Sequence, residues 1–194
     1  MTKQTASQTI GPFFHHILIP REYGQPDFPG ATMVTPQTAG EHIRIQGRIC
    51  DGDGQPVDPA LIEIWQADAN GIYPHPEDPR HAEVAAGFRG WGRIITDFDS
   101  GLWSFETIKP GPVRGRNNRV MAPHISLWLV SRGINIGLNT RMYFDDEDNS
   151  ADPVLGLVEQ ENRRRTLIAQ RTAPGVYRFD IRLQGEGETV FLDV

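Results

Sequence analysis

Hydrophobic and polar positions alternate along much of the chain, and the alternation has a period of two. In Ile43-Arg44-Ile45-Gln46-Gly47-Arg48-Ile49 the isoleucines all fall on odd positions, so one face of an extended segment is apolar and the other wet. Asp51-Gly52-Asp53-Gly54 follows at once, a run of residues that tolerate positive φ and close a turn. Comparable alternating or β-rich runs occur at Leu61 to Gln66, Gly92 to Thr96, Leu102 to Thr107, His124 to Ser131, Thr140 to Phe144, Val176 to Leu183 and Thr189 to Leu192. Their short spacing, with turn residues between them, predicts an all-β fold, an antiparallel β-sandwich. A helical stripe shows only at about Pro153 to Arg171, where Leu155, Val158, Leu167 and Ile168 share a face and Arg163 to Arg165 lie opposite; one helix is expected there. The first 40 residues have no period and are broken by Gly11-Pro12, Pro20, Pro26, Pro29-Gly30 and Pro36. Residues 1–40 are therefore expected to form an extended N-terminal arm. Its Phe13, Phe14, Ile17 and Leu18 would pack on the domain of residues 41–194 or on a neighbouring chain.

Composition narrows the picture. A chain of 194 residues fits one domain with a core large enough to need no disulfides. Its 20 glycines and 15 prolines make up about 18 % of the residues, against an average near 12 %, as a turn-rich β fold requires. The net charge of −6, with no basic stripe, argues against nucleic acid as a partner. Apolar runs fall far short of the roughly 20 residues that cross a bilayer, and MTKQTASQT lacks an apolar signal core, so no membrane role and a cytoplasmic location are expected. Cys50 is the sole cysteine; it can form neither an internal disulfide nor a cysteine zinc cluster, and reads as a small buried hydrophobe.

Most short motifs lead nowhere. Asp51-x-Asp53 and Asp145-Asp146-Glu147-Asp148 lack the rest of a calcium loop and read as solvated turns. Gly185-Glu186-Gly187 and Gly90-Trp91-Gly92 lack a third glycine and read as β-turns. Of six histidines, only His124 lies inside an apolar β run, where a ligand would be held rigidly and where a hydrogen-bonded core histidine is also at home. These residues alone specify no reaction.

The segment Leu61-Ile62-Glu63-Ile64-Trp65-Gln66-Ala67-Asp68-Ala69-Asn70-Gly71-Ile72-Tyr73 resembles the intradiol ring-cleaving dioxygenases. So do Thr107-Ile108-Lys109-Pro110-Gly111-Pro112, Ala122-Pro123-His124-Ile125, Arg132-Gly133-Ile134-Asn135-Ile136, Arg141-Met142-Tyr143-Phe144-Asp145-Asp146 and Gly185-Glu186-Gly187-Glu188-Thr189-Val190-Phe191. With Ser7-Gln8-Thr9-x-Gly11-Pro12 the resemblance spans almost the whole chain. It implies a β-sandwich family that holds non-haem Fe(III) with two tyrosines and two histidines and cleaves a catechol with O₂. Tyr73 matches the first tyrosine and His124 the first histidine. The other two positions depart from the pattern: Val113 follows Pro112, and Ser126 stands two residues after His124. Valine has no donor atom, and a neutral hydroxyl is a poor replacement for imidazole at a ferric ion. An arginine expected before the histidine pair is also missing, with Met121 and Ala122 in that stretch.

The resemblance therefore implies no catalytic or metal-binding residue in this chain, with Tyr73 and His124 as residual groups of a vestigial pocket. It implies instead an α/β heterodimer, repeated in a larger assembly, whose β subunit holds the Fe(III) and opens protocatechuate to 3-carboxy-cis,cis-muconate. Thr9, Gly11 and Pro12, in the arm, and Arg132, displayed before a glycine, are the expected contributions to the partner's substrate pocket. A guanidinium suits the carboxylate of such a substrate; an ordinary surface or interface ion pair suits Arg132 equally well. Two rival readings stay open: a self-sufficient metalloenzyme in which His75, His81 or another side chain replaces the lost ligands, and a β-sandwich binding or scaffold protein.

Overall fold

The computed structural model describes residues 11, 18, 20, 24–26 and 32–193. Among these, the strands are β1 (His42–Cys50), β2 (Ala60–Trp65), β3 (Trp91–Ile95), β4 (Leu102–Ile108), β5 (Val113–Arg114), β6 (Val120–Met121), β7 (His124–Ser131), β8 (Leu138–Phe144), β9 (Ile168–Ala173), β10 (Val176–Arg178) and β11 (Ile181–Arg182). An α-helix, α1, covers Glu161–Arg165.

The hydrogen bonding builds a two-layered β-sandwich. In one layer β1 is central, with β4 antiparallel along one edge and β10 then β11 parallel along the other. In the other layer β3, β2, β7 and β8 run antiparallel in that order. Strand β9 joins the layers, antiparallel to β10 and parallel to β8 through Tyr143 and Phe144 opposite Ile168 and Ala169. The expected sandwich is thus present, with three parallel pairings added to its antiparallel framework.

The alternation in β1 is borne out residue by residue, since its burial runs exposed, buried, exposed along the strand. Ile43, Ile45 and Ile49 join Phe105 and Tyr177 in a core that also takes Ile62, Ile64, Ile125, Leu127 and Phe144 from the facing layer. Full burial of each such side chain contributes about 1.5–3 kcal/mol.

Several expectations need correction. The span Pro153 to Arg171 is not one helix: it holds a 3-10 turn at Leu155–Leu157, the five-residue α1 and the start of β9. The apolar stripe was real but serves several elements, since Leu155 and Leu167 pack under Tyr143 in a second small cluster. Val176 to Leu183 is two strands, broken at Phe179 and Asp180, and Thr189 to Leu192 makes only a bridge between Asn139 and Leu192. The strand expected from Gly92 is present as β3, but it opens at Trp91, so the turn read at Gly90-Trp91-Gly92 does not extend past Gly90. Within the acidic run, Asp146 and Glu147 are anchored to Lys109 rather than merely solvated. Cys50 is half-buried at the end of β1.

Candidate functional site

Two glycine contacts locate the site. After β2, Asp68 is buried and its carboxylate accepts hydrogen bonds from the backbone N–H groups of Asn70, Ile72 and Ala85. The loop therefore folds around this carboxylate. Gly71, at φ +69°, lies so close to the Pro-Gly-Pro segment that an added Cβ would stand 2.1 Å from the Pro112 carbonyl oxygen. At Gly111 it would stand 2.4 Å from the Ala69 carbonyl oxygen. Only glycine permits such backbone-to-backbone packing. Gln66, buried beside it, donates to the Ile108 carbonyl and accepts from the Thr107 hydroxyl. Together these contacts set Tyr73 beside Val113, on one cleft of about 550 Å³.

Tyr73 stacks on Trp65 with ring centroids 5.4 Å apart and planes 6° from parallel. Burial raises the pKa of its phenol, Arg141 opposes that rise and Asp78 adds to it. The phenol is therefore kept protonated at neutral pH.

His124 opens β7 and is 2 % exposed. Its Nδ1 donates to the Ala122 carbonyl oxygen at 2.7 Å, while its buried Nε2 has no hydrogen-bond partner. Burial first, and Arg141 second, push its pKa down to about 4, so the ring is neutral at pH 7. It lies 5.9 Å from the ring of Tyr143. The Tyr143 hydroxyl donates to Asp152 at 3.0 Å, and burial, then the Asp152 charge, raise its pKa. Asp152 is itself buried and also accepts from the backbone N–H groups of Ala122, Val154 and Leu155. His124 is thus a buried histidine hydrogen-bonded through one ring nitrogen.

Val113 is buried in β5 opposite Met121. Ser126 stands in register between Trp65 of β2 and Arg141 of β8. Arg141 is the residue that sequence reasoning passed over. Its guanidinium donates to Met121 Sδ at 3.4 Å, and its charge acts on Tyr73, His124 and Tyr143 together. The signal was present in Arg141-Met142-Tyr143, where alternation puts positions 141 and 143 on the face of His124.

These residues do not fit a ferric ion. The Val113 side chain offers no donor atom and Ser126 a neutral hydroxyl, while the phenol of Tyr73 is held protonated and a guanidinium lies within reach of all three rings. A fixed positive charge there opposes a metal cation. The substitute ligands do not assemble either. His75 lines the Tyr73 cleft, but exposed His81 is turned to the Asp78 carbonyl. Among the described residues no group of three or more His, Cys, Asp or Glu side chains is placed to hold a metal.

The expected substrate-contacting residues lie elsewhere. Arg132 is exposed in the turn after β7, next to Gly133 at φ +82°, with no hydrogen bond or ion pair to another described residue. Gly11 is exposed, and Thr9 and Pro12 lie outside the described residues. The structure thus places Arg132 on an exposed turn after β7.

Comparison with known proteins agrees with this architecture. Residues 11–185 match the family described as Dioxygenase. The chain is 47 % identical to the protocatechuate 3,4-dioxygenase alpha chain of Pseudomonas putida, across 98 % of this chain and 96 % of that one. It is 36 % identical to the protocatechuate 3,4-dioxygenase beta chain of Burkholderia cepacia, across 77 % of this chain and 67 % of that one. Among solved structures, the dioxygenase domain of a dioxygenase carbohydrate-binding protein fusion from Streptomyces sp. SirexAA-E superposes with a TM-score of 0.58 at 25 % identity. That superposition covers 94 % of this chain and 99 % of that one. The chain belongs to the intradiol ring-cleaving dioxygenase family.

Proposed function

We propose that this chain is the non-catalytic α subunit of a protocatechuate 3,4-dioxygenase. It pairs with a β subunit that holds the non-haem Fe(III), and heterodimers repeat in a larger cytoplasmic assembly. The reaction of the pair converts protocatechuate and O₂ to 3-carboxy-cis,cis-muconate. The single observation that carries this reading is the disabled ligand set. Valine and serine stand at two of four ligand positions, with Arg141 acting on the two that survive, in a chain nearly half identical to an alpha chain. The likeness to a beta chain supports a partner built on the same fold.

In this assembly the chain supplies scaffold and specificity. Arg132 extends from its turn into the partner's pocket and meets the substrate carboxylate as a charge-assisted fork. Thr9, Gly11 and Pro12 of the arm, residues 1–40, line the same pocket. That β1 starts at His42 supports a division between arm and sandwich near residue 40.

The test is elemental analysis of the folded chain purified alone, then of the complex with its β subunit. Near-zero iron alone, and one iron per heterodimer with ring cleavage on assembly, is the expected result. Close to one iron per isolated chain, or ring cleavage without the partner, would overturn it.

A further inference from the structure

We infer that the cleft beside Arg141 is a binding site for a planar aromatic carboxylate. The inference does not rest on the subunit reading.

The first support is the state of the Arg141 guanidinium. Among the described residues, half-buried arginines otherwise have strong oxygen acceptors. Arg93 meets Glu63, Arg163 meets Glu188, and Arg164 and Arg182 donate to the carbonyl oxygens of Val158 and Gly52. Arg141 has only a thioether sulfur at 3.4 Å and the phenol of Tyr143. Sulfur is a weak acceptor, and a guanidinium presents five N–H donors in a fixed fork that matches a carboxylate. A partly desolvated cation left this way is stabilised by any anion that reaches it.

The second support is the wall of the cleft. Trp65, Trp91 and Trp128 flank a space of about 390 Å³ that Arg141 and Ser126 also line. That volume lies at the lower end of small-ligand sites. Indole faces and edges favour a flat aromatic ring. The carboxylate in the cleft, Glu63, is already paired with Arg93, whose guanidinium lies over the Trp91 ring at 5.6 Å; it therefore repels an incoming anion less than a bare carboxylate would. Ser126, between Trp65 and Arg141 in strand register, places a hydroxyl where a bound carboxylate can accept a second hydrogen bond. Charge at one end and flat apolar walls beside it select an aromatic acid over inorganic anions or neutral arenes.

The test is equilibrium dialysis of benzoate against the full-length chain, with indole fluorescence as a second readout. The expected result is saturable binding of one benzoate per chain, at least tenfold tighter than benzamide, which has the same shape without the charge. Arg141→Met should weaken benzoate at least tenfold. Ser126→Ala and Trp128→Ala, which alter only partly exposed side chains, should weaken it severalfold with an unchanged circular dichroism spectrum. They keep the test decisive if Arg141→Met does not fold. Arg44→Ala, on the outer face of the other layer, should leave binding unchanged. Absence of saturable binding to the folded chain, equal affinity for benzoate and benzamide, or undiminished binding in the cleft variants would overturn the inference.

Discussion

Lys109→Met should destabilise the protein by about 2 kcal/mol, and the loss should shrink in acid. The Lys109 ammonium meets Asp146 at 2.9 Å and Glu147 at 2.7 Å; its side chain is 11 % exposed, against 27 % and 33 % for the two carboxylates. It also lies 5.2 Å and 5.6 Å from the ring centroids of Phe144 and Tyr177. Exposed ion pairs are worth about 0.2–1 kcal/mol, while removing one partner of a buried pair costs about 3–5 kcal/mol. This cluster falls between those limits, because the carboxylates keep part of their water and Asp146 retains Tyr177 and Arg171. Methionine preserves the packing of the aliphatic stem, so the change reports on charge. Burial lowers the pKa of Lys109, but hydrogen bonds to Glu147 and Asp146 outweigh it and the net shift is upward. That contribution is complete below the ordinary lysine value and is lost only as pH rises past the shifted one. Burial raises the pKa of Asp146, but hydrogen bonds from Lys109 and Tyr177 bring it below its ordinary 3.8. Its contribution is present above that value and fades as pH falls through the shifted one. The cost of the substitution should therefore be flat from about pH 5 to 9 and smaller below about pH 4. At a urea slope of about 1–3 kcal/mol per molar, the unfolding midpoint at pH 7 should drop by roughly 1 M. A drop under about 0.3 M, or an equal loss at pH 3.5 and pH 7, would refute the reasoning.

Gly71→Ala forces a side chain into a left-handed position and onto the Pro112 carbonyl; it should cost at least about 2 kcal/mol in denaturant melts. A wild-type midpoint would show that the loop is not held by this contact. Asp152→Asn replaces acceptors used by Tyr143 and three backbone N–H groups, and about 2–3 kcal/mol should be lost in the same assay. In the complex with the β subunit, Arg132→Ala should raise KM roughly 10- to 100-fold with little change in kcat, as expected for a lost charged contact made equally in ground and transition states. An unchanged KM would discard its substrate role.

The sandwich was legible because one face of each main strand is buried and period two survives in sequence, as in Ile43 to Ile49. Strand β9 was not legible. Most of its residues after Ala169 are exposed, so it lacks a buried stripe, and its place is set by pairing with β8 and β10. The neighbouring Leu155, Val158, Leu167 and Ile168 gather at one cluster from separate turns and strands, which a helical wheel reads as one face. At the site, the chemistry of positions 113 and 126 could be read directly, since valine has no donor atom and serine only a neutral hydroxyl. Arg141 could not be assigned a role, because its meaning depends on Ser126, Met121 and Tyr73, which only strand register and loop packing bring near it.

The backbone contacts of Gly71 with Pro112 and of Gly111 with Ala69 separate architecture from chemistry in this family. The approach that sets position 73 against position 113 is made by main-chain atoms at two glycines, with the side chains of Asp68 and Gln66 holding the loop behind it. Selection can therefore rewrite the donor atoms at those places without moving them. A substitution at 73 or 113 would change what those positions can bind while the loop and the Pro-Gly-Pro segment keep their places.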